Sequence, residues 1–127
     1  MKHLLILLTV AISLSYTTKN TNKETADGYY YYAYASLDKD YKHVYITPVL
    51  FIPKSKCDME DPRSEYGISN QFNDYIKAEY NGIIYKVEGK VYNSWTFSEA
   101  DAVKSRRETM KLYKSNTKID DFKYLCD

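Results

Sequence analysis

An excess of charge of one sign is the first thing this 127-residue chain lacks, since 18 Lys and Arg stand against 17 Asp and Glu. A nearly neutral surface has no electrostatic footprint for nucleic acid or for an anionic bilayer, so both drop out as partners. Histidine is scarce as well: His3 sits at the start, which leaves His43 alone in the body of the chain. Catalytic zinc takes three protein ligands, usually rich in histidine, so no metal and no other cofactor is expected. A calcium loop needs regularly spaced oxygens and a turn glycine. Asp38 and Asp40 are followed by Tyr41, and Asp58, Glu60 and Asp61 form only a loose acidic group, which reads as solvated loop charge. Long apolar runs are missing too. Leu4 to Leu14 is the longest, at eleven residues, against about 20 for a membrane-spanning helix, so an integral membrane protein is not expected after processing.

That short run fits a different purpose. Lys2 and His3 precede it, and Ser13 and Ser15 place small residues at the third and first positions before a cleavage point, the pattern of a secretory signal. The expected plan is a signal peptide over 1–15, a flexible polar leader over 16–27 and a single domain over 28–127, exported to the periplasm or the medium. A short N-terminal anchor is the competing reading. Lys2 is the only Lys or Arg removed, so the mature chain is formally neutral. Both cysteines, Cys57 and Cys126, fall in the exported part. An even count outside the cytosol predicts a disulfide between them.

Periodicity supplies the elements. Tyr29 to Leu37 is an aromatic-rich strand, and Lys42 to Ile52 a second one, on an edge or bulged at Pro48 because proline donates no ladder bond. Pro53 to Ser64 reads as loop. Ile68, Phe72, Tyr75, Ile76 and Tyr80 recur at helical spacing, with Ser69 nearby as a cap. Period two returns from Ile83 to Trp95, with a bulge expected at Gly89. Ser98 is an N-cap with Asp101 three residues on, and Phe97 and Ala102 are placed for a hydrophobic staple. That helix is expected to reach Lys114, before a closing strand over Lys118 to Cys126. The order β-β-α-β-α-β predicts an α+β fold: a small, mostly antiparallel sheet with two helices packed on one face.

Tyrosine, with 15 copies, is where the composition departs from the ordinary. Alternation sends Tyr29 and Tyr31 to one face of their strand and Tyr30, Tyr32 and Tyr34 to the other. With helices on one face only, one set stays open to solvent, Tyr30, Tyr32 and Tyr34 or else Tyr29 and Tyr31. Phenol rings give contact area at low entropy cost and keep a hydroxyl for a polar partner. Tyr30, Tyr32 and Tyr34 are therefore the candidate binding residues, unless cross-strand pairing alone accounts for them. Arg106 falls inside the apolar stripe of the second helix, which Val103 and Met110 mark. With Arg107 it is a candidate partner or anion contact, against a snorkelling stem as the plainer reading.

The stretch Val91 to Asn116 (VYNSWTFSEADAVKSRRETMKLYKSN) resembles the second half of the sporulation-related repeat domains, which bind cell-wall glycan. The shared order is strand, aromatic, capping Ser or Thr, alanine-bearing helix, strand. Asn93 and Ser94 stand where that family usually carries glycine, and the first half here is a hairpin. The resemblance implies a cell-envelope glycan as ligand. The leading expectation is a small exported, non-catalytic domain that meets a protein or polysaccharide through its tyrosine-rich face. The alternatives are a small extracytoplasmic enzyme using carboxylates such as Asp38, Asp40, Glu79 or Glu88 with His43 as acid or base, and a purely structural envelope protein.

Overall fold

The computed structural model describes residues 27–60 and 63–126, so the expected signal peptide and almost all of the leader lie outside the described residues. The elements are β1 (Gly28–Ser36), β2 (His43–Ile46), β3 (Leu50–Pro53), α1 (Arg63–Glu79), β4 (Lys86–Asn93), α2 (Glu99–Lys111) and β5 (Ser115–Lys118). They form an α+β fold around one curled, five-stranded mixed sheet.

β1 is the central strand. β4 runs antiparallel to it over Tyr29↔Asn93 through Ser36↔Lys86, while its other side is shared by β3 at the N-terminal half and β2 at the C-terminal half. The expected single second strand is thus two strands, split at Pro48. Thr47 repairs the break: its N–H donates to Ala33 O at 2.9 Å, and its hydroxyl accepts from Ala33 N–H at 3.0 Å. The hydroxyl fills the place of the ladder acceptor that the bend removes. β5 pairs with β2 in parallel, so the sheet is mixed. The expected closing strand is four residues long, and it starts and ends earlier than its apolar residues suggested. Ile119 N–H still donates to Ile46 O at 2.9 Å, and beyond it the chain leaves the ladder, with Ile119 and Phe122 buried in the core that α1 covers.

α1 starts at Arg63, inside the expected loop, and Ser69 is therefore an internal residue rather than a cap. Its Ile68, Phe72 and Ile76 pack on Tyr29, Tyr31, Ala33 and Ala35, the odd face of β1. Gly89 is no bulge, because the register runs through it without a skip. It is the point where the helix touches the sheet: a Cβ there would lie 2.7 Å from the Ile68 side chain and 3.0 Å from Glu65 O. Small size at that position sets the helix–strand distance.

α2 begins as expected, with Ser98 and Asp101 forming a reciprocal capping box. It ends at Lys111, one turn early, and Phe97 rests edge-on against Tyr92 at 5.3 Å. Its position corrects the expectation of two helices on one face. Tyr32 and Tyr34 cluster with Val44, Ile46, Tyr113 and Met110 of α2, on the even face of β1. The two helices therefore cover opposite faces. The inward side of α2 is small and polar, so hydroxyls hold it down: the Tyr32 hydroxyl lies 2.9 Å from Ser105 Oγ and 3.1 Å from Thr109 Oγ1, and the Tyr92 hydroxyl also meets Ser105. Tyrosine suits such a seam because its ring fills the space and its hydroxyl answers the helix.

Candidate functional site

Burial on both faces disposes of an open tyrosine surface. Tyr32 is 0% and Tyr34 5% exposed, and the opposite set, Tyr29 and Tyr31, is equally buried. Tyr30 alone keeps part of its ring at the surface, 5.1 Å from Phe51. The Tyr34 hydroxyl donates to Glu88 Oε2 at 2.6 Å, and burial, then that carboxylate, raises its pKa. Arg106 is half-buried under α2, where its Nε donates to Thr47 O at 2.6 Å and so secures the Pro48 bend. Desolvation lowers the Arg106 pKa. Arg107 is exposed one position away. The structure does not bring these five residues into one surface. Cys57 and Cys126 are joined by a disulfide, with Cα atoms 5.7 Å apart.

Of the expected catalytic groups, Asp38, Asp40 and His43 meet at the turn between β1 and β2, while Glu79 and Glu88 lie on α1 and β4. Asp38 accepts three backbone N–H groups, from Lys42 at 2.8 Å and from Asp40 and His43 at 3.1 Å each. Those bonds, the one from Lys42 first, hold its carboxyl below the usual range. They also frame Tyr41 at a left-handed φ of 52°. Glu88 is bracketed by Lys86 and Lys90, and Glu79 stands at the far end of α1. His43 reaches Ser115 Oγ at 2.6 Å and Thr117 Oγ1 at 2.7 Å. In either tautomer one ring nitrogen donates and the other accepts, so the imidazole clamps β5 onto β2. Neither ring partner is a carboxylate that would orient it as a base. Among the described residues no group of three His, Cys, Asp or Glu is placed to hold a metal ion, and no helix is long and apolar enough to cross a membrane. Asp61, of the loose acidic group, lies outside the described residues.

A concave site lies at the other end of β1, around Trp95. Asn93 ends β4 and builds the turn, its carbonyl accepting from Phe97 N–H at 3.0 Å and its Oδ1 from Thr96 N–H at 2.9 Å. Ser94 then fixes the turn to the start of β1: its N–H donates to Gly28 O, and its Oγ accepts from Gly28 N–H, both at 2.9 Å. The side chain between these anchors, Trp95, is presented outward and is 48% exposed. Its indole meets the Tyr29 ring edge-on at 5.5 Å, with Lys54 Nζ 5.0 Å from its centroid.

Facing it is the loop that the disulfide secures. The Tyr29 hydroxyl donates to Asp58 Oδ1 at 2.9 Å, the same oxygen accepts from Glu60 N–H at 3.1 Å, and Lys54 pairs with Glu60 at 3.0 Å. Burial, then Asp58, raises the Tyr29 pKa, so the phenol stays a donor. Between loop, turn and the first turn of α1 is an open cleft of about 490 Å³ lined by Tyr29, Met59, Glu60, Glu65, Val91, Asn93 and Trp95. It offers one broad stacking ring, two carboxylates and an amide, a set that accepts hydroxyl donors around a flat apolar plate.

This cleft was not expected from the sequence, where Trp95 closed the period-two stretch that begins at Ile83. The signal was present in Asn-Ser-Trp-Thr, one residue before a capping box, which is turn chemistry and places the indole in a loop. The chain matches no protein-family model, no curated protein and no solved structure.

Proposed function

We propose that this protein is a small exported, non-catalytic binding domain whose ligand is a polysaccharide held in the Trp95 cleft. The observation that carries the reading is a half-exposed indole, fixed at both flanks by backbone bonds, standing over carboxylates and an amide. Aromatic plates capture the apolar faces of sugars, and fixed acceptors orient the hydroxyls at their edges. A ring held in place before binding loses little entropy when a ligand arrives. Trp95→Ala should weaken retention on insoluble polysaccharide (cellulose, chitin or purified cell wall) by tenfold or more, about 1.4 kcal/mol. The thermal midpoint should stay within a few degrees, since the ring is a surface group. Equal retention of the variant on every matrix would overturn the reading. Saturable binding of a purified protein partner through Trp95, without any glycan, would replace polysaccharide by protein.

Export is supported by the N-terminal pattern and by the disulfide, since such bonds persist in oxidising compartments. Protein recovered outside the cytoplasm should have the intact mass of a chain beginning at Tyr16. Recovery of only the full-length chain, in the membrane fraction, would contradict it.

A further inference from the structure

Beside the Trp95 cleft, further along the same strand, lies a second hollow of about 500 Å³ lined by Glu65, Tyr66, Ser69, Asn70 and residues Val87 to Lys90. Glu65 lines both spaces. From Val87 to Asn93 the strand covers about 20 Å at roughly 3.3 Å per residue. We propose that the two hollows form one groove along the outer edge of β4, holding several consecutive units of a linear, non-acidic glycan, with Tyr66 as a second stacking ring. This deepens the polysaccharide reading and rests on it.

The chemistry of the edge selects the ligand. Among the described residues β4 is paired on one side only, and a bare sheet edge invites an extended peptide. Here α1 has occupied outward donors of that edge: Gly89 N–H donates to Ser69 Oγ at 2.9 Å, and Val91 N–H to Glu65 Oε1 at 3.4 Å. A peptide strand would have to displace both. A glycan needs no backbone ladder, only rings to lie against and polar side chains to meet its hydroxyls. Tyr66 is 71% exposed on the first turn of α1, and Glu65, Asn70 and Asn93 supply acceptors along the groove. Acidic sugars are disfavoured because Glu60 and Glu65 contribute carboxylates to the walls, while the neighbouring ammonium groups of Lys54 and Lys90 are already paired with Glu60 and Glu88.

The test is calorimetric titration of the mature protein with cello- and chito-oligosaccharides from dimer to hexamer, with polygalacturonate fragments of the same lengths as acidic probes. Affinity for at least one neutral series should rise about tenfold or more from dimer to hexamer. Tyr66→Ala should abolish that rise and leave dimer affinity unchanged, whereas Trp95→Ala should weaken every length. Binding that depends on Trp95 but not on chain length, or a length dependence untouched by Tyr66→Ala, would overturn the groove and leave the cleft standing. Tighter binding of the acidic series would overturn the ligand class. No binding by any oligosaccharide would overturn the groove together with the polysaccharide reading.

Discussion

Tyr32→Ala is expected to cost about 3–5 kcal/mol of folding stability, the range for removing a large buried aromatic ring. Tyr32 is fully buried between the sheet and α2, and its hydroxyl is the anchor for both Ser105 and Thr109. Truncation opens a cavity and strips two helix hydroxyls of a partner in one step, so α2 loses its main attachment. Denaturant unfolding of the variant should show the full loss. Tyr32→Phe separates the terms: it keeps the ring and removes only the hydroxyl, at a cost of about 1–2 kcal/mol. An unfolding midpoint for Tyr32→Ala close to that of the parent would mean that α2 does not cover this face.

Loss of the disulfide should produce the second-largest effect. Cys57 and Cys126 are 69 positions apart, and closing a loop of that length stabilises by about 4 kcal/mol in the chain-entropy description. The bond also secures a strap. Beyond β5 the chain lays Ile119 and Phe122 against α1, donates Tyr124 N–H to the Tyr31 hydroxyl at 3.2 Å, and brackets Leu125 with the Gln71 amide. On the loop side, Cys57 stands beside Met59 and Glu60, which line the cleft. Reduction should therefore lower the thermal midpoint by roughly 10 °C or more, at about 4–8 °C per kcal/mol for a domain of this size. It should also loosen the cleft before the sheet melts, seen as early loss of amide protection in the loop. An unchanged midpoint in reductant, with both thiols verified free, would remove the bond from the stability account.

Local signals were the ones the sequence displayed. The aromatic run of β1, the Ser98–Asp101 capping box and the oxidised cysteine pair all follow from short-range rules, and each stands in the structure. Two features escaped because their cause is long-range. The turn of the chain at Pro48 depends on Thr47 and Arg106, and the arginine comes 59 positions later to take the Thr47 carbonyl. The placement of α2 was hidden by its chemistry: Ala102, Ser105 and Thr109 face inward, while Val103 is partly exposed. Apolar periodicity pointed to Val103 and Met110, and a seam of hydroxyls leaves no trace in that pattern. The surplus tyrosines were real, but their explanation is a second covered face. Arg106 is half-buried, with its Nε donating to the Thr47 carbonyl. Trp95, the aromatic exposed in the cleft, is one residue in a turn, which no periodicity marks.

Trp95 is the only tryptophan in the chain, so its emission reports on the cleft without interference from a second indole. Fluorescence titration of the folded, oxidised protein with neutral oligosaccharides tests the central claim most directly. A saturable change in intensity with a shift of the emission maximum to shorter wavelength, as sugar replaces water over the ring, is the expected result. Oligosaccharide binding detected by calorimetry while the Trp95 emission stays unchanged would contradict the account, as would the absence of binding altogether.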